Sequence, residues 1–361
     1  MKNHSPERYR ETLIVEKIAT LLGFGYLAKK VPGRDPYPPY LFYGFSILFE
    51  LGVIQVARYL SGRKPAILVD PFWIAIPLGV ILAIISVRYM ADRYAEAIAQ
   101  LRVHDRIDEK EAEQFKCLLP MKVKLSLYAV TVILFFSNDL FNVGLSTIIE
   151  VEGLLPALLA RLFVIPLGYL PLMIEFVLLY FSIHVLLPRR IASTEVGLFF
   201  YDPRNMGGFA PIGQLLKRTY YVYTAVLILY FLFTYGSTIA SEIIQSPLPE
   251  PGLVEAAFFS FAWLVGLASM TYSMYTIHRV MVSEKQQHIR EFEEQLLSAI
   301  DDPYNIKSAE ITDPDTLEDS RQRLEQVRAT KEYPTTFTMW TQILISVFLP
   351  QALNMAVQMG I

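Results

Sequence analysis

Cysteine is almost missing from this 361-residue chain: Cys117 stands alone, which excludes an internal disulfide framework and any zinc site built on thiolates. Histidine is scarce as well. His4, His104, His184, His278 and His288 are scattered, and neither a His-Glu-x-x-His helix nor a Gly-x-Ser-x-Gly elbow occurs. With those signatures missing, the chain is not expected to be an enzyme, and no metal or other cofactor is expected. Gly208 to Gly213 has the spacing of a phosphate-binding loop, but Gln214 stands where a lysine would have to reach the phosphates, so nucleotide hydrolysis has no support. The net charge is only -3, and no nucleic-acid partner is expected. Met1 to Arg10 is polar and lacks the apolar stretch of a cleavable signal peptide, so insertion is expected to begin at a later, retained helix.

Apolar surface, in contrast, is plentiful. Apolar residues make up 53% of the chain, with 23 Phe and 21 Tyr, too many for one soluble domain. Apolar windows at 39–60, 66–90, 125–148, 162–187, 219–243 and 254–278, followed by 337–359, predict an all-α polytopic membrane protein with seven transmembrane helices. Placing the N-terminus in the cytoplasm puts 28 Lys and Arg inside, in 1–37, 88–124, 188–218 and 279–334. Only Arg58, Arg63, Lys64 and Arg161 then lie at the outer ends. Positive charge gathers on the cytoplasmic side, so this orientation is the expected one, with the C-terminus outside, in the cell membrane. The short outer loops lean acidic (Asp70, Glu150, Glu152, Glu242, Glu250, Glu255), which either concentrates cations at an outer mouth or merely follows from the topology.

Four stretches organise the chain. Residues 1–37 hold a cytoplasmic amphipathic helix (Leu13, Ile14, Ile18, Leu21, Leu22) lying on the inner surface, with Lys29, Lys30 and Arg34 suited to anionic lipid. Residues 38–280 form a six-helix bundle whose second span continues inward to Gln114 as a charged amphipathic helix. Residues 281–334 form a cytoplasmic helical anchor. Ile289, Phe292, Leu296 and Ile300 stripe its first helix, Asp301-Asp302-Pro303 ends it, and a second helix begins near Asp315 with Leu317, Leu324 and Val327 on its buried edge. Residues 335–361 are the terminal membrane helix.

That last helix carries the most pointed chemistry. Thr338, Gln342, Ser346, Asn354 and Gln358 recur at every fourth position, with Pro350 in the remaining slot. An unpaired amide in hydrocarbon costs several kcal/mol, so the row is expected to face water or another protein helix. With Gln351 and Phe348 it supplies the candidate pore lining. The alternative use of the same atoms is packing within one subunit.

Candidate ligand or ion residues are Asp139, Glu50 and Glu175, intramembrane carboxylates that must face a cavity or a partner, together with Trp73, Tyr235 and Trp263, aromatics placed to line a pocket. Pairing with Arg58 or Arg161 is the structural alternative for the carboxylates and is favoured for Glu50 and Glu175, whereas Asp139 is the leading functional candidate; packing is the alternative for the rings. Asp202-Pro203 and Gly207-Gly208 force a shaped inner loop that serves either as a ligand or coupling site or as a rigid connector.

The layout of Asp315 to Lys331 as a cytoplasmic half-helix and Phe337 to Gly360 as a membrane half resembles the seven-transmembrane ion channel superfamily that includes the insect odorant and gustatory receptors. The resemblance is one of architecture over nearly the whole chain. Where gustatory receptors carry a Thr-Tyr pair followed by Gln-Phe, this chain has Thr341-Gln342 and Gln351-Ala352. The resemblance implies a homotetramer joined through cytoplasmic helices, a cation pore lined by the last helix, and a small-molecule ligand bound within each bundle. Taken together, the expectation is a homotetrameric, ligand-gated, weakly selective cation channel in a lipid bilayer. A proton- or cation-coupled secondary transporter and a non-conducting receptor or scaffold are the alternatives.

Overall fold

The computed structural model describes residues 5–31, 37–69, 71–194, 196–239 and 253–334. The expected seventh span, 337–359, lies outside the described residues. Within them, six helical segments are long and apolar enough to cross a membrane, as an all-α polytopic chain requires. In chain order the main helices are α1 (Ile14–Leu21), α2 (Pro38–Leu60), α3 (Ala75–Leu101), α4 (Met121–Asn138), α5 (Leu154–Ser193), α6 (Ala210–Ile239), α7 (Leu253–Ser298) and α8 (Pro314–Ala329).

Local chemistry sets most of the boundaries. Pro38 and Pro39 occupy the first turn of α2, where the missing N–H groups have no helical partner to lose, and Tyr37 before them is extended. Gly144 and Gly153, at φ of 82° and 91°, separate α4 from α5 around a short outer helix. The charged extension of the second span is shorter than the sequence predicts: Arg102 takes a left-handed conformation (φ 53°), and the chain beyond it breaks into single turns. Proline is accommodated inside α5 by wide, π-type turns at Ala160–Tyr169 and Ser182–Leu186. Pro171 cannot donate to the Pro166 carbonyl, and the Tyr128 hydroxyl donates to that carbonyl instead (2.6 Å); the Tyr43 hydroxyl donates to the Gly168 carbonyl (3.0 Å).

The core is built around α3. Ile84, Val87, Met90, Tyr94, Ile98 and Leu101 recur at helical spacing and are buried against α6 (Ile212, Leu216, Tyr220) and α5 (Phe176, Leu179, Ile183). Ile133, Leu134, Phe141, Met173 and Val177 face outward, as side chains in contact with lipid should. The leading helix α1 is amphipathic, as expected. It does more than rest on a surface, for Leu13, Ile14, Val15 and Ala19 are buried where it packs on α2 and α5.

At 1.5 Å per residue the 46-residue α7 is about 69 Å long, more than twice the hydrocarbon core of a bilayer, so it projects well beyond the membrane. Its apolar stripe (Ile289, Phe292, Leu296) is only partly buried. The turn after it is pinned by a two-residue antiparallel pair, β1 (Ile300–Asp301) and β2 (Glu310–Ile311). Asp313 then caps α8, accepting from the Thr316 N–H at 3.1 Å, two residues before the position the sequence points to. α8 runs back along α7 with Ser320, Leu324 and Val327 buried, while Leu317 is only half-buried.

Cys117 is exposed just before α4. As the chain's single thiol it reports orientation directly. A membrane-impermeant maleimide is expected to leave intact cells unlabelled and to react after permeabilisation; labelling of intact cells would invert the topology.

Candidate functional site

Each of the intramembrane carboxylates singled out in the sequence has a partner in the structure. Glu175 is fully buried on α5. One of its oxygens accepts from Lys124 Nζ of α4 at 2.9 Å, and the other accepts from the Ile14 N–H at the start of α1. Lys124 is 1% exposed and also reaches Glu11 at 3.1 Å. A carboxylate at the first turn of a helix meets N–H groups that have no internal partner and the positive end of the helix dipole. Glu175 therefore docks α1.

Asp139 follows the last residue of α4 and begins a wide turn, Asp139–Val143. It accepts from Arg161 Nε at 2.8 Å, and the same guanidinium reaches Glu152 at 2.7 Å. Arg161 is thus the structural partner the sequence names, but of Asp139 rather than of Glu50 or Glu175. Glu50 also opens a wide turn, Glu50–Ile54, and accepts from the Tyr169 hydroxyl of α5. Glu175→Ala is expected to destabilise the protein by about 3–5 kcal/mol, the range for stripping one partner from a buried pair. Asp139→Asn, which leaves Arg161 its bond to Glu152, is expected to lower the thermal midpoint in detergent far less, and equal losses would contradict the docking role of Glu175.

The aromatic candidates are partly brought together. Tyr235 and Trp263 share one cluster with Phe231 and Phe259; the Phe231–Phe259 and Phe259–Trp263 ring centroids are 5.4 Å and 6.1 Å apart. Trp73 lies in a single turn, Pro71–Ile74, that packs on α6, where its neighbour Phe72 closes over Gly236. The Trp263 Nε1 is buried with no hydrogen-bond partner among the described residues, although a buried indole N–H ordinarily finds one.

A second aromatic network, not assembled from the sequence, joins α5, α6 and α7. The Tyr180 ring stacks on Tyr223 (4.4 Å) and His184 (4.2 Å). Its hydroxyl donates to the Gly266 carbonyl at 3.2 Å and accepts from Ser269 Oγ at 3.1 Å. Both nitrogens of His184 face carbonyl oxygens, of Tyr180 and Leu216, each at 3.2 Å. Only the i to i+4 spacing of Tyr180 and His184 is visible in sequence; their partners on α6 and α7 come from tertiary packing.

The inner loop is shaped by one side chain. The Asp202 carboxylate accepts three backbone N–H groups, from Arg204 (3.1 Å), Met206 (3.1 Å) and Gly208 (2.9 Å). Burial pushes its pKa up, but these bonds outweigh burial and hold it below the ordinary carboxylate value of 3.8. A depressed folded-state pKa adds stability above the ordinary value, and that stability is lost as pH falls through the depressed one. Asp202→Asn is therefore expected to flatten the acid limb of the stability profile below about pH 4, read as thermal midpoint against pH.

The same loop, the start of α6 and the second half of α7 hold the chain that leaves α8. Asn205 accepts from the Lys331 N–H (2.7 Å), and Lys285 Nζ donates to the carbonyls of Thr330 (2.8 Å) and Arg328 (3.1 Å). The Tyr333 ring lies flat on His278, 4.0 Å away and 7° from parallel. Gly213 leaves room for Pro334, whose carbonyl a Cβ there would strike. The candidate pore residues Thr338, Gln342, Ser346, Phe348, Gln351, Asn354 and Gln358 lie outside the described residues. No protein-family model, curated protein or solved structure matches this chain.

Proposed function

We propose that the chain is one subunit of a homotetrameric, ligand-gated, weakly selective cation channel in the cell membrane, with a pore formed by residues 337–360. The observation that carries this reading is the grip on residues 330–334. Asn205, Lys285, His278 and Gly213 fix the end of the cytoplasmic hairpin against the inner ends of α6 and α7, and the apolar terminal segment begins only a few residues later. In this reading the segment crosses outward from that point, and its polar row needs hydrated surroundings.

Two further features support the reading. At the tip of the α7–α8 hairpin Tyr304 is 88% and Ile306 95% exposed, and apolar surface this bare suits contact with neighbouring subunits. The internal partners of Asp139, Glu50 and Glu175 favour structural roles over the ion coupling a transporter would need. Tyr235 and Trp263 remain the place we assign to the small-molecule ligand, and the unpartnered Trp263 N–H is a donor for it.

Purified protein is expected to behave as four copies in detergent and to conduct cations in planar bilayers. Gln351→Leu is expected to reduce conductance and Phe348→Ala to increase leak. A monomer, or silence of every variant across ligands and voltages, would remove the channel reading; proton-dependent uptake abolished by Asp139→Asn would put a transporter in its place.

A further inference from the structure

Two adjoining clefts on the inner face share Gln100, Arg204 and Pro211 and form one trough between α3, the loop that follows α5, and α6. The larger has a volume of about 910 Å³, within the range of small-ligand sites, and the smaller extends it by about 210 Å³. Five arginines line the trough (Arg93, Arg102, Arg106, Arg204, Arg218) against three acids, Glu96, Asp105 and Asp202. Glu96 holds Arg93 at 2.5 Å, and Asp202 spends its oxygens on backbone N–H groups. Arg106 is committed to structure through the carbonyls of Gly197 (3.0 Å) and Gly207 (3.3 Å).

The guanidinium groups of Arg102, Arg204 and Arg218 form no hydrogen bond or ion pair among the described residues. Arg102 is presented by a left-handed backbone that ends α3, and Arg204 by the loop that Asp202 holds rigid. Like charges gathered on a preformed frame repel one another until an anion joins them, and the planar guanidinium fork matches phosphate oxygens. The trough also has depth. Arg93 and Arg218 stand at the inner ends of the second and fifth spans, and nine residues of α3 carry the wall about 13 Å further to Arg102. One phosphate at the membrane boundary and another near Arg102 and Arg204 fit such a row.

We propose that this trough binds a compact anion bearing at least two phosphate groups, of the phosphorylated-inositol kind, either as a lipid headgroup or as the free phosphate. The assignment is independent of the channel reading. It is tested on the purified full chain in detergent, by binding titration with three probes: a short-chain phosphatidylinositol bisphosphate, soluble inositol hexakisphosphate and short-chain phosphatidylserine. At least one phosphorylated-inositol probe is expected to bind saturably and about tenfold tighter than phosphatidylserine. Combined Arg102→Gln, Arg204→Gln and Arg218→Gln should weaken it by about tenfold or more, and Arg204→Gln alone, at an exposed loop position, by about threefold. Arg189→Gln with Arg279→Gln, in the separate basic cleft between the inner ends of α5 and α7, should leave it unchanged. Preference for the lipid over the soluble probe identifies the membrane as the source, and the reverse identifies a free metabolite. Equal binding by phosphatidylserine, or undiminished binding by the substituted proteins, would show only a solvated basic face and overturn the proposal.

Discussion

The contact on which the bundle depends is the buried ion pair between Lys124 and Glu175, completed by Glu11 and the Ile14 N–H. Two opposite charges taken out of water recover their desolvation cost only when the geometry is good and the remaining oxygens are bonded, and here both conditions are met. Apolar packing alone would let α1 slide over the inner ends of α2 and α5, because Leu13, Ile14 and Val15 are interchangeable in kind. A carboxylate that must find one particular backbone N–H allows a single register. The leading helix, α4 and α5 are thereby locked as one body, and α3 packs on that body with its whole apolar edge.

Much of this architecture was legible in the sequence, because lipid imposes length and hydropathy on every span. The first span is read to within a residue, 39–60 against Pro38–Leu60. Reading fails where a backbone exception decides. Arg102 has no glycine or proline beside it to announce a left-handed turn, so the helix predicted through Gln114 stops at Leu101. The carboxylates were recognised as needing partners, but Glu175 lies 51 residues from Lys124 and 161 from Ile14, separations over which no periodicity operates. Lys124 itself reads as one more cytoplasmic charge. Arg161 meets Asp139 rather than the acids for which pairing is favoured, since spacing cannot tell which carboxylate a long side chain reaches.

The wide turns offer a common reason for where polar groups sit. Glu50, Asp139 and His184 all fall in such turns, and Pro166 lies in another. A wide turn shifts the helical hydrogen-bond pattern by one residue, which re-aims side chains and frees carbonyls. Tyr128 and Tyr43 answer two of those carbonyls with hydroxyls, and Tyr169 answers Glu50. Tyrosine is frequent in this chain for a physical reason, as it brings a donor to an apolar interior while burying a ring.

α7 links the two ends of the molecule on a single rigid element. Phe259 and Trp263 place its first turns in the aromatic cluster, and His278 and Lys285, in its second half, hold residues 330–333. Gly266 lies between them, packed so closely on the Tyr223 ring that a Cβ would not fit, and Tyr180 donates to its carbonyl. From Trp263 to Lys285 is 22 residues of continuous helix, about 33 Å without a proline or a left-handed residue. Such a rod does not absorb displacement along its length. A displacement of α7 at Trp263 must be accommodated at Gly266, where α5 and α6 grip the helix, or be delivered to residues 330–333. The tight packing at Gly266 makes the first course costly, because interiors at crystal-like density yield little. The second course requires only that a stacked ring pair and a lysine's two carbonyl bonds shift, and these contacts lie nearer the surface.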